Sequence, residues 1–203
     1  MMDQTVLLHN MILHTRVLGP EVRTAIWFQG CRRRCKGCMS PSSRDLNGGV
    51  RVPVAQVCEK ILQLTDIEGI TISGGEPFLQ PKALHSLLSE IRSRSSLGII
   101  IYTGYRLSEL AAMNDPLIDR IITSLSDLII DGEYIDELND GKNLKGSSNQ
   151  TLHHITGRYL PYSALYERTK RDVEVRMWKN EGFLIGVPDK QTLKDWLKTT
   201  ENL

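Results

Sequence analysis

Apolar positions along the chain switch between two spacings. Short runs at Val22 to Phe28, Gly69 to Ser73, Gly98 to Tyr102 and Leu128 to Ile130 read as strands. The third, GIIIY, is continuously apolar, as expected of a strand buried on both faces. Helical spacing fills the gaps: residues 53–65 with Pro53 near the first turn, then Pro81 to Arg94, Leu107 to Met113 and Pro116 to Thr123. In the second of these, Leu84, Leu87, Leu88 and Ile91 share a face. This β-α-β-α rhythm predicts an α/β fold with a parallel sheet and crossover helices.

The rhythm stops after residue 132. Residues 139–150 are rich in Gly, Asn and Ser and predict a long loop, a feature usually tied to function or mobility. Val173 to Trp178 alternates, a turn is expected at Asn180-Glu181-Gly182, and Phe183 to Val187 returns as the second arm of a hairpin. Leu193 to Leu197 belongs to a short terminal helix. Residues 1–20 read as an N-terminal extension, and all 203 residues as one domain.

Composition narrows the classes. Hydrophobic residues make up 40% and charged residues 24%, and the net charge of +1 gives no global field toward nucleic acid or an anionic membrane. Tyr159, Tyr162 and Tyr166 lack a strand pattern with interleaved basic residues, so they read as core or surface filler rather than a base-stacking platform. No apolar run approaches the ~20 residues of a spanning helix. The start, MMDQTVLLHN, lacks a basic region followed by a long apolar stretch, so a cytoplasmic protein is expected. There, clustered cysteines are metal ligands more often than disulfides.

Such a cluster exists. Cys31, Cys35 and Cys38 fall within the loop 29–40 in the run CRRRCKGC. Three thiolates on one loop can hold an iron–sulfur cluster with one iron left open, which makes a reaction centre. A structural zinc site is the alternative, with His9, His14, His85, His153 or His154 as fourth ligand, although zinc cysteines usually come as two separated pairs. Cys58 sits in the helical pattern of Val54, Val57, Ile61 and Leu62 and reads as a buried small hydrophobe. His153 and His154 are adjacent and point apart on regular structure, which argues against joint ligation. Arg32, Arg33 and Arg34 form either a solvated tip or a contact for an acidic patch or phosphate on a partner.

A second constellation, Ser73-Gly74-Gly75-Glu76-Pro77, ends a predicted buried strand, the edge where parallel α/β folds bind ligands. Paired glycines allow close backbone approach, and Glu76 can grip a cationic group such as an ammonium, or simply cap a tight turn.

CRRRCKGC has the CxxxCxxC spacing of radical S-adenosylmethionine (radical SAM) enzymes, and SGGEP resembles that family's GGE motif. The lead-in Trp27-Phe28-Gln29-Gly30-Cys31 is similar to the superfamily's small activating enzymes. Tyr102-Thr103-Gly104-Tyr105, Asp131-Gly132-Glu133-Tyr134 and Gly146-Ser147-Ser148-Asn149-Gln150 resemble segments of the anaerobic ribonucleotide reductase activating subgroup. Ile185 to Pro188 resembles its late strand near the adenine. Lys36 departs from the Pro common after the second cysteine, and the triple arginine is unusual.

The resemblance implies a partial, open (β/α) barrel, since the chain is short for a full barrel of ~250 residues. It implies a [4Fe-4S] cluster on Cys31, Cys35 and Cys38, and S-adenosylmethionine held by Gly74, Gly75 and Glu76. Thr103, Asp131 and Asn149 are further cofactor contacts in this reading, each with a plain cap or turn as its alternative. The implied partners are a large glycyl-radical enzyme as protein substrate and a low-potential donor such as flavodoxin or ferredoxin, with no nucleic acid and no membrane. A radical SAM enzyme for a small molecule, nucleotide or peptide, and a non-catalytic zinc or iron–sulfur module, are the rival readings.

Overall fold

The computed structural model describes residues 4–178 and 181–200. Its main sheet has seven strands: β1 (Thr5–Thr15), β2 (Arg23–Phe28), β3 (Val50–Pro53), β4 (Gly69–Gly74), β5 (Gly98–Tyr102), β6 (Leu128–Asp131) and β7 (Thr151–His154). They lie in the order β3-β1-β2-β4-β5-β6-β7. The run β2-β4-β5-β6 is parallel. Antiparallel strands flank it, β1 and β3 on one side and β7 on the other. The sheet is therefore mixed, with the expected parallel part at its centre, and among the described residues its edge strands β3 and β7 do not pair.

The helices are α1 (Val54–Leu62), α2 (Pro81–Arg94), α3 (Leu107–Ala111), α4 (Pro116–Arg120), α5 (Ser163–Tyr166) and α6 (Lys190–Thr200). The last turn predicted for α4 widens into a π-helical turn over Ile121–Leu125. A separate hairpin joins β8 (Val173–Trp178) to β9 (Glu181–Gly186). Glu181 and Gly182 of the expected turn belong to β9, and Asn180 lies outside the described residues.

Strand alternation divides the core. Ile26, Ile70, Ile72, Ile99, Ile101 and Ile129 pack with the buried faces of α1, α2, α3 and α4. Ile100, Leu128 and Ile130 face the other way, against Leu144 and Tyr159. Ala25 on that second face meets Leu18, Ile185 and Val187, which brings β9 over the sheet. Helices α1 to α4 thus cover one face, and the long loop, α5 and the hairpin cover the other.

The N-terminal edge of the parallel strands holds a buried charge. Arg23 is fully buried. Its guanidinium donates to Thr71 Oγ1 at 2.8 Å, Ile70 O at 2.7 Å and Gly98 O at 3.1 Å, and pairs with Glu68. It also lies 5.2 Å from the Tyr159 ring centroid. Glu68 in turn accepts from Arg158 at 2.7 Å and from Tyr159 at 3.1 Å. Tyr159 is thus buried core, with Tyr162 and Tyr166 packed partly exposed against it.

Cys58 is fully buried in α1, and burial pushes its thiol up to about 12. Such a thiol is inert packing. Cys58→Ala is expected to cost about 1 kcal/mol and to leave iron and sulfide per chain unchanged after reconstitution. Loss of iron in that variant would make Cys58 a ligand. Among the described residues no helix is long and apolar enough to cross a membrane.

Candidate metal and cofactor centre

Four candidate segments leave the carboxyl ends of parallel strands, while residues 146–150 lead into β7. The cysteine loop follows β2, Gly75-Glu76 follows β4, Thr103-Gly104 follows β5 and Gly132 follows β6. Parallel pairing of β2, β4, β5 and β6 brings those ends to one edge of the sheet, where they line a common cavity of about 430 Å³. Cys31, Cys35 and Cys38 form one part of its wall, and Ser73, Gly74, Gly75 and Glu76 another. The volume suits a small-molecule cofactor.

The cysteine loop is tied at its root by backbone. Gly30 N donates to Ser43 O at 2.8 Å, and Cys31 N to Arg44 O at 3.1 Å. The buried Gln29 side chain donates to Ser42 O at 3.1 Å and Asp45 O at 2.7 Å. The GGE turn leans on the same root: Gly75 N donates to Phe28 O and Glu76 N to Gly30 O, both at 2.8 Å. No side chain fits at these glycines. Gly74 has φ +116°, and a Cβ there would lie 2.3 Å from Phe28 N and O. At Gly75 a Cβ would lie 2.3 Å from Gly30 O.

All three cysteines are free and partly exposed. Burial raises the Cys31 thiol above its ordinary range. Burial, with the charge and hydrogen bond of Glu133, pushes Cys35 up to about 11; its Sγ donates to Glu133 Oε1 at 3.5 Å. Both shifts favour the protonated thiol, so metal ligation at neutral pH releases protons. Among the described residues no group of three His, Cys, Asp or Glu side chains is arranged to hold a single ion. An iron–sulfur cluster makes no such demand, because each cysteine binds a different iron. The donor set on this cavity therefore fits an iron–sulfur cluster held by three cysteines.

Glu76 is buried and already engaged. Its oxygens accept from Phe78 N at 3.1 Å, Thr103 Oγ1 at 2.9 Å and Gly104 N at 2.8 Å. Burial pushes its carboxyl up to about 7 against those donors and nearby Arg33. Thr103 is buried beside it and lines the cavity. Asp131 and Asn149 stand one residue outside the wall. Asp131 accepts from Leu107 N at 2.7 Å and faces His153 at 3.1 Å. Asn149 is exposed and donates to Glu133 O at 2.9 Å. Their neighbours Gly132 and Gln150 line the cavity instead. Gln150 bridges them, accepting from Gly146 N and donating to Gly132 O, both at 2.7 Å.

The last wall comes from far along the chain. Gly186, Val187 and Pro188 reach the cavity, as do Leu193, Trp196 and Leu197 of α6. The i, i+3, i+4 spacing of those three was the available signal for an inward face on α6. Met39 and Tyr134 also line the site; Tyr134 lies in the resemblance segment Asp131-Gly132-Glu133-Tyr134, whereas Met39 carried no signal of its own.

Residues 17–153 match the family described as 4Fe-4S single cluster domain. The anaerobic ribonucleoside-triphosphate reductase-activating protein of Escherichia coli (strain K12) is 32% identical over 148 residues, covering 68% of this chain and 92% of that protein. The protein of the same name from Vibrio cholerae is 32% identical over 149 residues, covering 69% and 92%. A pyruvate formate-lyase-activating enzyme of Staphylococcus epidermidis is 28% identical over 204 residues, covering 96% of this chain and 74% of the relative.

Proposed function

Because the chain belongs to the 4Fe-4S single cluster domain family, in its radical SAM activating-enzyme subgroup, we propose that it activates a glycyl-radical enzyme, an anaerobic ribonucleotide reductase. The observation that carries this reading is the shared cavity, with three free cysteines on one wall and the Gly74-Gly75-Glu76 turn on another. Cys31, Cys35 and Cys38 would ligate three irons of a [4Fe-4S] cluster. Once reduced by a low-potential donor, such a cluster would supply the one electron needed for reductive cleavage of S-adenosylmethionine, the chemistry that would allow hydrogen abstraction from a glycine of the partner.

The chain's own residues bind and orient. Gly74 and Gly75 let the turn pack directly on the backbone of Phe28 and Gly30, which sets it beside the cysteine loop at the cavity wall. Glu76 acts mainly by holding Phe78, Thr103 and Gly104 in place, since its oxygens accept from all three. Thr103 faces the cofactor, while Asp131 and Asn149 support it from behind by fixing Leu107 N and Glu133 O. Val187, Pro188, Leu193 and Trp196 add apolar surface to the cavity wall, which would limit water at the reacting centre. In this reading the described residues form one domain, a partial, open barrel whose wide mouth suits a protein substrate, working in the cytoplasm with a flavodoxin or ferredoxin as donor.

Anaerobic reconstitution followed by dithionite and S-adenosylmethionine tests the chemistry, read as 5′-deoxyadenosine. Formation supports the reading; its absence with a fully occupied cluster counts against it. Gly75→Ala tests the turn. Strain of ~1–3 kcal/mol against Gly30 is expected to weaken S-adenosylmethionine binding about tenfold, measured on the iron-loaded fraction because Gly30 is the root of the cysteine loop. An unchanged dissociation constant would remove Gly75 from the cofactor site.

A further inference from the structure

The three arginines between the first two cysteines do not share one environment. Arg32 and Arg34 are exposed, while Arg33 turns inward. The Arg33 side chain retains 19% exposure. Its Nη2 donates to Glu109 Oε2 at 2.9 Å, and its Nη1 reaches Glu133 Oε2 at 3.5 Å. The guanidinium carbon lies over the Tyr105 ring, 4.6 Å from the centroid. Its Cδ packs so closely on Gly104 that a Cβ there would come within 2.7 Å.

Each contact leads back to the centre. Gly104 donates to Glu76 Oε2 at 2.8 Å, and Glu133 accepts from Cys35 through its other oxygen. One side chain therefore joins the cysteine loop to the turn after β5, to α3 and to the turn after β6. The loop carrying Arg33 has no regular secondary structure between Gln29 and Ser40, so it needs such an anchor. Charge, planarity and ring stacking are used together, a combination that lysine supplies only in part.

We propose that Arg33 is a positioning residue that fastens the cysteine loop to the turns after β5 and β6, holding the iron centre against loss and in register with the Glu76 side of the cavity. This rests on the iron–sulfur reading above. Arg32 and Arg34 make no ion pair among the described residues and serve as built-in comparisons.

The test compares wild type, Arg33→Ala, Arg33→Lys, Glu109→Gln, Arg32→Ala and Arg34→Ala after anaerobic reconstitution. The readouts are the rate of iron removal by a chelator and the change that S-adenosylmethionine makes in the EPR signal of the reduced cluster. Arg33→Ala is expected to lose iron about tenfold faster, within the range for residues that orient metal ligands, and to show a smaller EPR change. Arg33→Lys is expected to fall between Arg33→Ala and wild type. Arg32→Ala and Arg34→Ala are expected to match wild type. Should Arg33→Ala fail to fold, Glu109→Gln decides: it keeps an acceptor for Arg106 N, discharges the partner of Arg33 and is expected to speed iron loss. Iron loss unchanged in Arg33→Ala and Glu109→Gln, or equally fast in Arg32→Ala, overturns the proposal. Wild type that takes up no iron and sulfide overturns the cluster reading itself, a result distinct from the first.

Discussion

Cys31→Ala, Cys35→Ala and Cys38→Ala are each expected to reduce iron and sulfide to background after anaerobic reconstitution, and to abolish 5′-deoxyadenosine formation. The three positions have no substitutes. Cys58 is the remaining cysteine, and it is fully buried in α1. Removing one of three thiolates leaves two, too few to keep a cluster that must also keep an iron open. The measurement is iron and sulfide per chain, with far-UV circular dichroism as the check on folding. A single-cysteine variant that retained its full iron content would show that the loop is not the ligand set.

Arg23→Met is expected to give the largest loss of stability away from the site. Four hydrogen-bond acceptors lose their donor: Thr71 Oγ1, Ile70 O, Gly98 O and Pro20 O. Glu68 loses its buried partner and keeps Arg158 and Tyr159. Breaking such a pair costs about 3–5 kcal/mol, a fall of ~10 °C in the melting midpoint for a chain of this size. Because Arg23 starts β2 at the edge opposite the cavity, iron content measured well below the transition should match wild type. A midpoint within ~2 °C of wild type would mean that the network is worth little.

The parallel core was legible because its strands are short, apolar and bounded by turn residues, as in GIIIY and LIID. Helix α2 was read to its ends, Pro81 and Arg94, from its four-residue apolar stripe and leading proline. The antiparallel strands of the main sheet were not legible, unlike the β8–β9 hairpin, whose two arms were read from their alternation and turn. In β1, irregular register between Leu8 and Asn10 and between Ile12 and Thr15 breaks the period of two, and most of the strand is only half-buried. The four residues of β3 are mostly exposed, and β7, also four residues, is exposed at both ends. Neither supplies enough buried positions for a pattern to emerge.

The centre was legible for a different reason. Cysteine spacing and paired glycines are local, so Cys31, Cys35, Cys38, Gly74 and Gly75 could be named from the chain, and all five line the cavity. Residues that act through distant contacts could not. The inward turn of Arg33 depends on Tyr105, Glu109 and Glu133, which lie far along the chain. Strand-end Asp131 was a reasonable choice by position, yet backbone geometry puts Gly132 on the wall instead.

The central claim is the transfer of radical character to a protein glycine. The most direct measurement is EPR of the reconstituted, reduced protein mixed without oxygen with S-adenosylmethionine and an anaerobic ribonucleotide reductase. A glycyl-radical doublet, absent when this chain is omitted or carries Cys35→Ala, is the predicted result. Continued 5′-deoxyadenosine formation with no such doublet would contradict the account and point to a different hydrogen donor.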